Sequence, residues 1–320
     1  MNLPFLSREE VNDRCERLNI IAAVTDVLID AEAGLAGQSV RRELAPPQMP
    51  GLLGLMPSWR SRAPRLFAAK VVCVMPQNPK QGLPAHQGIC ALFDGDDGHL
   101  IGLAEAGAVT EWRTAALAAI ATRTLAKPDA QHHLVIGGGH QVLPHLRAFH
   151  RCGAGEIFHL WARRVDALSE IRAAANDLGI EVEVTDQLEE AVRTADVVTT
   201  LTSASEPFLN GEWLRPGTHV NAMGSSTPFV REFGDDLISK AMVFVDDRES
   251  ALTLSGEFLH CSRAPAVTPI GAVLARNAIG RQSGADITLF KSVGIGIQDL
   301  ALLEQLFPVS PRPSSDSGVS

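Results

Sequence analysis

Hydrophobic positions along the chain fall into two textures. In the first hundred residues, Ser7-Arg8-Glu9-Glu10 has the form of a helix start, with Ser7 as N-cap and Glu10 reaching back to it. The spacing of Ile20, Ile21, Val24, Val27 and Leu28 predicts a second, amphipathic helix. After the Pro- and Gly-rich stretch 46–54 come strand-like runs at 52–56, 67–75 and 88–93. They are separated by turn material such as Gln77-Asn78-Pro79-Lys80 and Asp94-Gly95-Asp96-Asp97-Gly98. These predict a meandering sheet, followed by an Ala-rich helix over 111–125.

At Lys127-Pro128-Asp129 the texture changes. Predicted strands at 133–136, 156–161, 181–184 and 196–200 alternate with predicted helices at 140–152, 166–178 and 188–194. Further strands are expected at 218–223 and 242–245. Strands alternating with helices at this spacing imply βαβ units and a parallel sheet, hence an α/β fold of the Rossmann, doubly wound type. The segment 287–294 and a helix over 297–306 are expected to return to the first domain. The division expected is therefore 1–125 with 288–307 as one domain and 126–287 as the other. Residues 308–320, rich in Pro, Ser and Gly, are expected to be a disordered tail.

Composition narrows the chemistry. The 320 residues are 45% hydrophobic, enough for two buried cores, and the net charge of −9 disfavours extended binding to nucleic acid. No apolar run is long enough to span a bilayer, and no signal peptide is evident, so a soluble cytoplasmic protein is expected. Five scattered Cys without CxxC spacing point to reduced thiols rather than a disulfide framework. The ten His form no HExxH or similar ligand set, and no metal is expected. Asp235-Asp236 and Asp246-Asp247 read as helix caps or strand ends rather than a catalytic carboxylate pair. The chain has no Tyr, which excludes reductases whose proton relay is a Tyr–Lys pair.

The turn Gly137-Gly138-Gly139-His140-Gln141 follows a predicted strand and opens a predicted helix. Gly137 permits a tight turn, and Gly139 lets the backbone approach a pyrophosphate at the helix N-terminus. Val142 stands where the usual third glycine would be. At the end of the next strand, Trp161-Ala162-Arg163-Arg164 offers no acid for the ribose hydroxyls but two guanidinium groups. That pattern favours NADP(H), with NAD(H) possible.

Several co-linear segments resemble the ornithine cyclodeaminase/mu-crystallin family. They are Lys70 in its apolar run, Gly82-Leu83-Pro84-Ala85-His86-Gln87-Gly88, Thr110-Glu111-Trp112-Arg113-Thr114-Ala115-Ala116, Glu206 to Trp213, Pro216 to Gly224, and Thr288 to Gly294. The resemblance covers roughly residues 5–307. It implies a Rossmann domain joined to an α+β substrate-binding and dimerisation domain, a homodimer, and small α-imino or α-amino acids as substrates. By position it places Arg42, Lys70 and Arg113 around the substrate carboxylate and reacting nitrogen. It assigns cofactor contacts to Thr114, Gly137, Gly139, His140, Gln141, Thr202, Met223 and Ser292, to which the strand-end reading adds Ala162, Arg163 and Arg164.

Two departures from the family pattern bear on the reaction. Ala85 replaces a hydroxyl residue. Ser226 stands where cyclodeaminases carry a catalytic Asp, and serine cannot serve as a free-standing base near neutrality. The expectation is thus a reductase of cyclic α-imino acids such as Δ1-pyrroline-2-carboxylate or Δ1-piperideine-2-carboxylate. An ornithine cyclodeaminase or alanine-dehydrogenase-like oxidoreductase, and a non-catalytic NADPH-linked binder, are the alternatives. Burial of Lys70 in the run Phe67-Ala68-Ala69-Lys70-Val71-Val72 is expected to lower its pKa, letting it exchange a proton with the substrate nitrogen.

Overall fold

Two sheets organise the chain, one mostly antiparallel and one parallel. The computed structural model describes residues 3–309, so all but the first two residues of the expected tail over 308–320 lie outside the described residues. The chain divides into two units: the first runs to Thr110 and resumes at Gly296, and the second is Glu111–Ile295.

The first unit contains β1 (Phe5–Leu6), α1 (Arg8–Cys15), α2 (Ile20–Glu32), β2 (Ala36–Gln38), β3 (Arg42–Leu44), β4 (Leu52–Arg60), β5 (Leu66–Val74), β6 (His86–Asp94) and β7 (Leu100–Glu105). The α3 helix (Ala106–Leu125) crosses from this unit into the second. As expected, α1 opens on a capping box in which Ser7 and Glu10 satisfy each other's backbone amides. The sheet order is β1-β7-β6-β5-β4-β2, with β3 also paired to β4. Along β4 and β5 exposure alternates strictly, so one face is core and the other is open. Helix α11 (Gly296–Leu306) packs with α2 on the covered face. Buried Arg60 of β4 locks that layer, bonding Asp30 of α2 at 2.8 Å and Glu304 of α11.

The second unit continues through β8 (His132–Ile136), α4 (Val142–Cys152), β9 (Ile157–Trp161), α5 (Asp166–Asp177), β10 (Val182–Val184), α6 (Leu188–Thr194), β11 (Val197–Thr200) and β12 (His219–Ala222). It ends with α7 (Asp235–Ile238), β13 (Ala241–Val245), α8 (Arg248–Leu254), α9 (Gly256–Leu259), β14 (Val267–Pro269), α10 (Ile270–Leu274) and β15 (Ile287–Lys291). The sheet order is β10-β9-β8-β11-β12-β15-β13-β14, and every pairing is parallel. The order reverses between β8 and β11, the switch point of a doubly wound sheet.

The structure moves both expected boundaries. Residues 287–291 do not return to the first domain; β15 lies between β12 and β13, and only α11 joins the first unit. The run Ile287-Thr288-Leu289-Phe290-Lys291 is almost wholly buried, as a central parallel strand must be. The other boundary shifts because the distal part of α3 belongs to the parallel sheet. Its Thr122 hydroxyl accepts from Asn221 at 2.8 Å, and Asn221 also bonds Thr199. Around them lie His133 with Thr199 (2.8 Å) and His219 with Thr288 (2.9 Å), a fully buried hydrogen-bonded polar layer. The other sheet face is apolar, built from Leu134, Ile136, Val198, Val220, Val243 and Leu289.

Candidate functional site

In the first unit, Lys70 sits mid-β5 with its side chain on the core face and is 4% exposed. Its ammonium donates to the Thr110 hydroxyl at 2.6 Å and to the Asp299 carboxylate at 3.4 Å. The buried setting agrees with the sequence expectation. Asp299, on α11, is a partner that sequence proximity could not supply.

The arginine assignment is corrected by register. Arg42 pairs with Leu55, whereas Lys70 pairs with Met56. Successive strand residues face opposite sides, so Arg42 shares the open face with Leu55 and is itself exposed. Arg41 takes the Lys70 side: its Cδ lies 3.8 Å from where a Cβ on Gly54 would be, and Gly54 shares the buried face with Met56. Arg41 also pairs with Glu43 at 2.9 Å. Among these neighbours, Arg41 rather than Arg42 is the cation on the lysine's face.

In the second unit, Arg113 is 5% exposed, and its guanidinium points its two terminal nitrogens at Gly294. A Cβ on Gly294 would come within 2.8 Å of both terminal nitrogens, and its φ of 76° already demands glycine. The turn that presents Gly294 hangs on Asp246 at the end of β13. That buried carboxylate accepts from the Ser292 hydroxyl (2.7 Å) and the amides of Val293 (3.0 Å) and Gly294 (2.9 Å). Burial pushes its pKa up. The Ser292 hydroxyl, expected as a cofactor contact, is thus engaged with Asp246. Next to it, Asp247 caps α8 through Ser250, in line with the capping role read from the sequence.

The glycine turn forms as expected between β8 and α4, although the helix begins at Val142 rather than His140. Gly137 has φ 153°, and a Cβ there would meet the Leu201 carbonyl oxygen at 2.8 Å. Gly138 is closed in by Ala162 and Ala167, whereas the space over Gly139 is open. His140 is exposed and Gln141 half-buried at the helix start. The buried Oγ1 of Thr114 and Oε1 of Gln141 have no hydrogen-bond partner among the described residues. An open glycine suits the approach of a dinucleotide pyrophosphate, and the Thr114 hydroxyl and Gln141 amide oxygen leave hydrogen-bonding capacity in the same unit. After β9, Ala162 is buried while Arg163 and Arg164 reach solvent.

Thr202 and Met223 follow β11 and β12. The Thr202 amide and hydroxyl both donate to Glu232, and Met223 is 8% exposed. Ser226 is half-buried in the loop after β12. His145, next to the turn, is buried, donates Nδ1–H to the Gln141 carbonyl and has its pKa pushed down to about 4 by burial. The one grouping with metal-ligand proximity among the described residues is Asp94, Asp97 and His99, at the β6–β7 turn. There Asp94 already accepts the amides of Asp96 and Asp97.

A parallel sheet with this turn in one unit and a buried lysine in the other are found in a chain that matches one family throughout. The model of the ornithine cyclodeaminase/mu-crystallin family matches residues 2–308. The chain belongs to that family. Mouse ketimine reductase mu-crystallin is 32% identical over 310 residues, 95% of this chain and 96% of that protein. The Δ1-pyrroline-2-carboxylate reductase of Paracoccus denitrificans is 34% identical over 251 residues, 74% of this chain and 77% of that one. The structure of Thermococcus litoralis Δ1-pyrroline-2-carboxylate reductase in complex with NADH and L-proline is similar at a TM-score of 0.88. That likeness covers 95% of this chain and 96% of the other, at 27% identity.

Proposed function

We propose that this family member is an NAD(P)H-dependent reductase of cyclic α-imino acids, working on ketimines of the Δ1-pyrroline-2-carboxylate or Δ1-piperideine-2-carboxylate kind. The observation that carries the reading is the buried Lys70 ammonium held between Thr110 and Asp299. A hydrogen-bonded cation removed from bulk water is suited to keep a proton at an imine nitrogen. The names of the two reductase relatives support the same chemistry. Reduced nicotinamide, when bound, supplies the hydride.

The chain's own residues do the rest. Arg113, given room by Gly294, binds the substrate carboxylate and fixes the face that the imine carbon presents. Arg41 replaces Arg42 as the second cation of the site. Lys70 carries the proton at the ring nitrogen, and Thr110 and Asp299 keep the ammonium aimed. Ser226 puts a hydroxyl where the family resemblance places the catalytic Asp of cyclodeaminases, which speaks against deamination with ring closure. Thr114 and Gln141, the latter on the glycine turn, offer buried polar atoms to the cofactor, and Arg163 and Arg164 favour its 2′-phosphorylated form.

The chain is also proposed to act as a homodimer through the open face of its antiparallel sheet. Cross-strand rows there read Leu55–Val71–Ile89 and Trp59–Phe67–Phe93. Leu55, Trp59, Phe67 and Ile89 are all exposed on it, and contiguous exposed apolar side chains mark protein–protein contacts.

Purified protein with either cyclic imine is expected to consume NADPH faster than NADH, followed by loss of reduced-nicotinamide absorbance. Exchanging Arg163 and Arg164 for Asp and Ser is expected to weaken NADPH more than NADH. No consumption, together with ammonia released from ornithine, would replace the reductase by a cyclodeaminase. Equal weakening of both cofactors would remove the phosphate assignment.

A further inference from the structure

Three ionisable side chains of the second unit, Glu232, Glu257 and Lys291, have no solvent exposure at all. None of them is a residue to which the family resemblance gave a role. They form one connected group. The Glu232 carboxylate accepts four hydrogen bonds, two on each oxygen. Oε1 takes the Thr202 amide (2.9 Å) and hydroxyl (2.7 Å), and Oε2 takes the Thr200 hydroxyl (2.6 Å) and the Gly224 amide (3.1 Å). Glu257 holds Glu232 from behind, accepting its backbone N–H at 3.0 Å together with the hydroxyls of Ser225 (2.9 Å) and Ser255 (2.7 Å). The Lys291 ammonium lies 3.6 Å from the Glu257 carboxylate and donates to the carbonyls of Ala222 (3.4 Å) and Ser225.

Buried polar groups are retained where they are paired or hydrogen-bonded, as Glu257 is with Lys291 and Glu232 by its four donors, so the group fixes what it touches. What it touches is one edge of the parallel sheet. Thr200, Ala222 and Lys291 are register neighbours at the carboxyl ends of β11, β12 and β15. In a doubly wound sheet the dinucleotide lies outside those ends, with its pyrophosphate on the first glycine turn. Here that turn follows β8, and the strands on its β9 side carry the Ala162–Arg164 segment read for the adenosine ribose. The nicotinamide half must then fall toward β11 and β12, the two loops that Glu232 ties together.

We propose that Glu232 is a positioning residue for the nicotinamide ring, setting the spacing between the Thr202 and Gly224 loops, with Glu257 and Lys291 fixing Glu232 in turn. The inference rests on the nicotinamide reading above. The fit leaves no slack: a Cβ on Gly224 would approach Glu232 Oε1 to 2.4 Å and the Thr202 carbonyl oxygen to 2.2 Å. The carboxylate is required because four donors converge on two acceptor oxygens. Glutamine in either amide orientation turns an NH2 group toward two of them.

The test compares whole and truncated cofactors on the full chain. Glu232→Gln is expected to weaken NADPH and NADH binding by about tenfold and to lower kcat, with ADP-ribose and its 2′-phosphate bound within about twofold of wild type. The fluorescence enhancement of bound reduced nicotinamide is expected to fall, and the imine KM at saturating cofactor to stay unchanged. Thr200→Val keeps the side-chain shape, removes one donor, and is expected to act in the same direction more weakly. Equal weakening of whole cofactor and nicotinamide-free fragment, or no weakening of either, overturns the proposal. If Glu232→Gln does not fold, Thr200→Val decides by the same comparison. Wild-type protein that binds neither NADPH nor NADH would overturn the cofactor reading itself, an outcome distinct from any shown by the variants.

Discussion

Lys70 and Arg113 owe their settings to residues far away in sequence. Asp299 is on α11, 229 positions after Lys70, and Gly294 reaches Arg113 only because Asp246 anchors the turn that carries it. Each contact has a testable consequence. Lys70→Ala and Arg113→Ala are each expected to lower kcat/KM for the imine by at least about tenfold. Gly294→Ala is expected to follow Arg113→Ala in the same assay, because the added Cβ displaces the guanidinium and a left-handed alanine costs about 1–2 kcal/mol. Wild-type kinetics in all three would remove these residues from the site. The Arg41/Arg42 exchange shows where residue-level reading stops. Arg41 and Arg42 are adjacent in sequence, and a one-residue register difference decides which shares the lysine's face. Asp246 was legible as a cap or strand end and Glu232 not at all, since their hydrogen-bond donors come from segments distant in sequence or from other loops.

At the scale of elements, periodicity carried most of the weight. The glycine turn, the βαβ alternation and the capping box of α1 follow from local chemistry, and they stand where that chemistry puts them. The segment 287–294 was misplaced because a short buried apolar run is the same pattern in any sheet, and only pairing says which one. Polar positions in β12 and β15 carry no exposed face. Polar His219, Asn221 and Thr288 suggest an open face, yet they are wholly buried and bonded to one another and to α3. The truly open face belongs to β4, β5 and β6, and a homodimer is proposed to cover it. Trp59→Glu combined with Phe67→Glu is expected to give a monomer by light scattering. A dimer that persists in that variant would move the interface elsewhere.

For the whole molecule, the buried histidines set a pH dependence. Burial pushes the pKa of His133 and His145 down to about 4 and that of His219 to about 3. In the unfolded chain each returns to about 6.5. Below that value the unfolded state binds protons that the folded state refuses, so stability rises with pH across this window. The contribution is full above about pH 6.5 and is lost as pH falls toward about 4. The buried Asp246 carboxyl, with its raised pKa, acts with the opposite sign, so the check is differential. His145→Gln is expected to flatten the rise of Tm between about pH 4.5 and 6.5; an unchanged slope would refute the assignment. No helix among the described residues is long and apolar enough to cross a membrane.

The sequence by itself determined the α/β class, the dinucleotide turn, the family and the identity of the buried lysine. Each of these is written in local spacing, in residue types within one turn or one strand, or in motifs read in order along the chain. Tertiary structure alone decided which arginine shares the lysine's face, where β15 inserts, and that the distal part of α3 belongs to the parallel sheet. It also decided that Glu232, Glu257 and Lys291 form one group. Those are questions of strand register and of charge removed from water, and both are settled by partners that the chain brings together only when it folds.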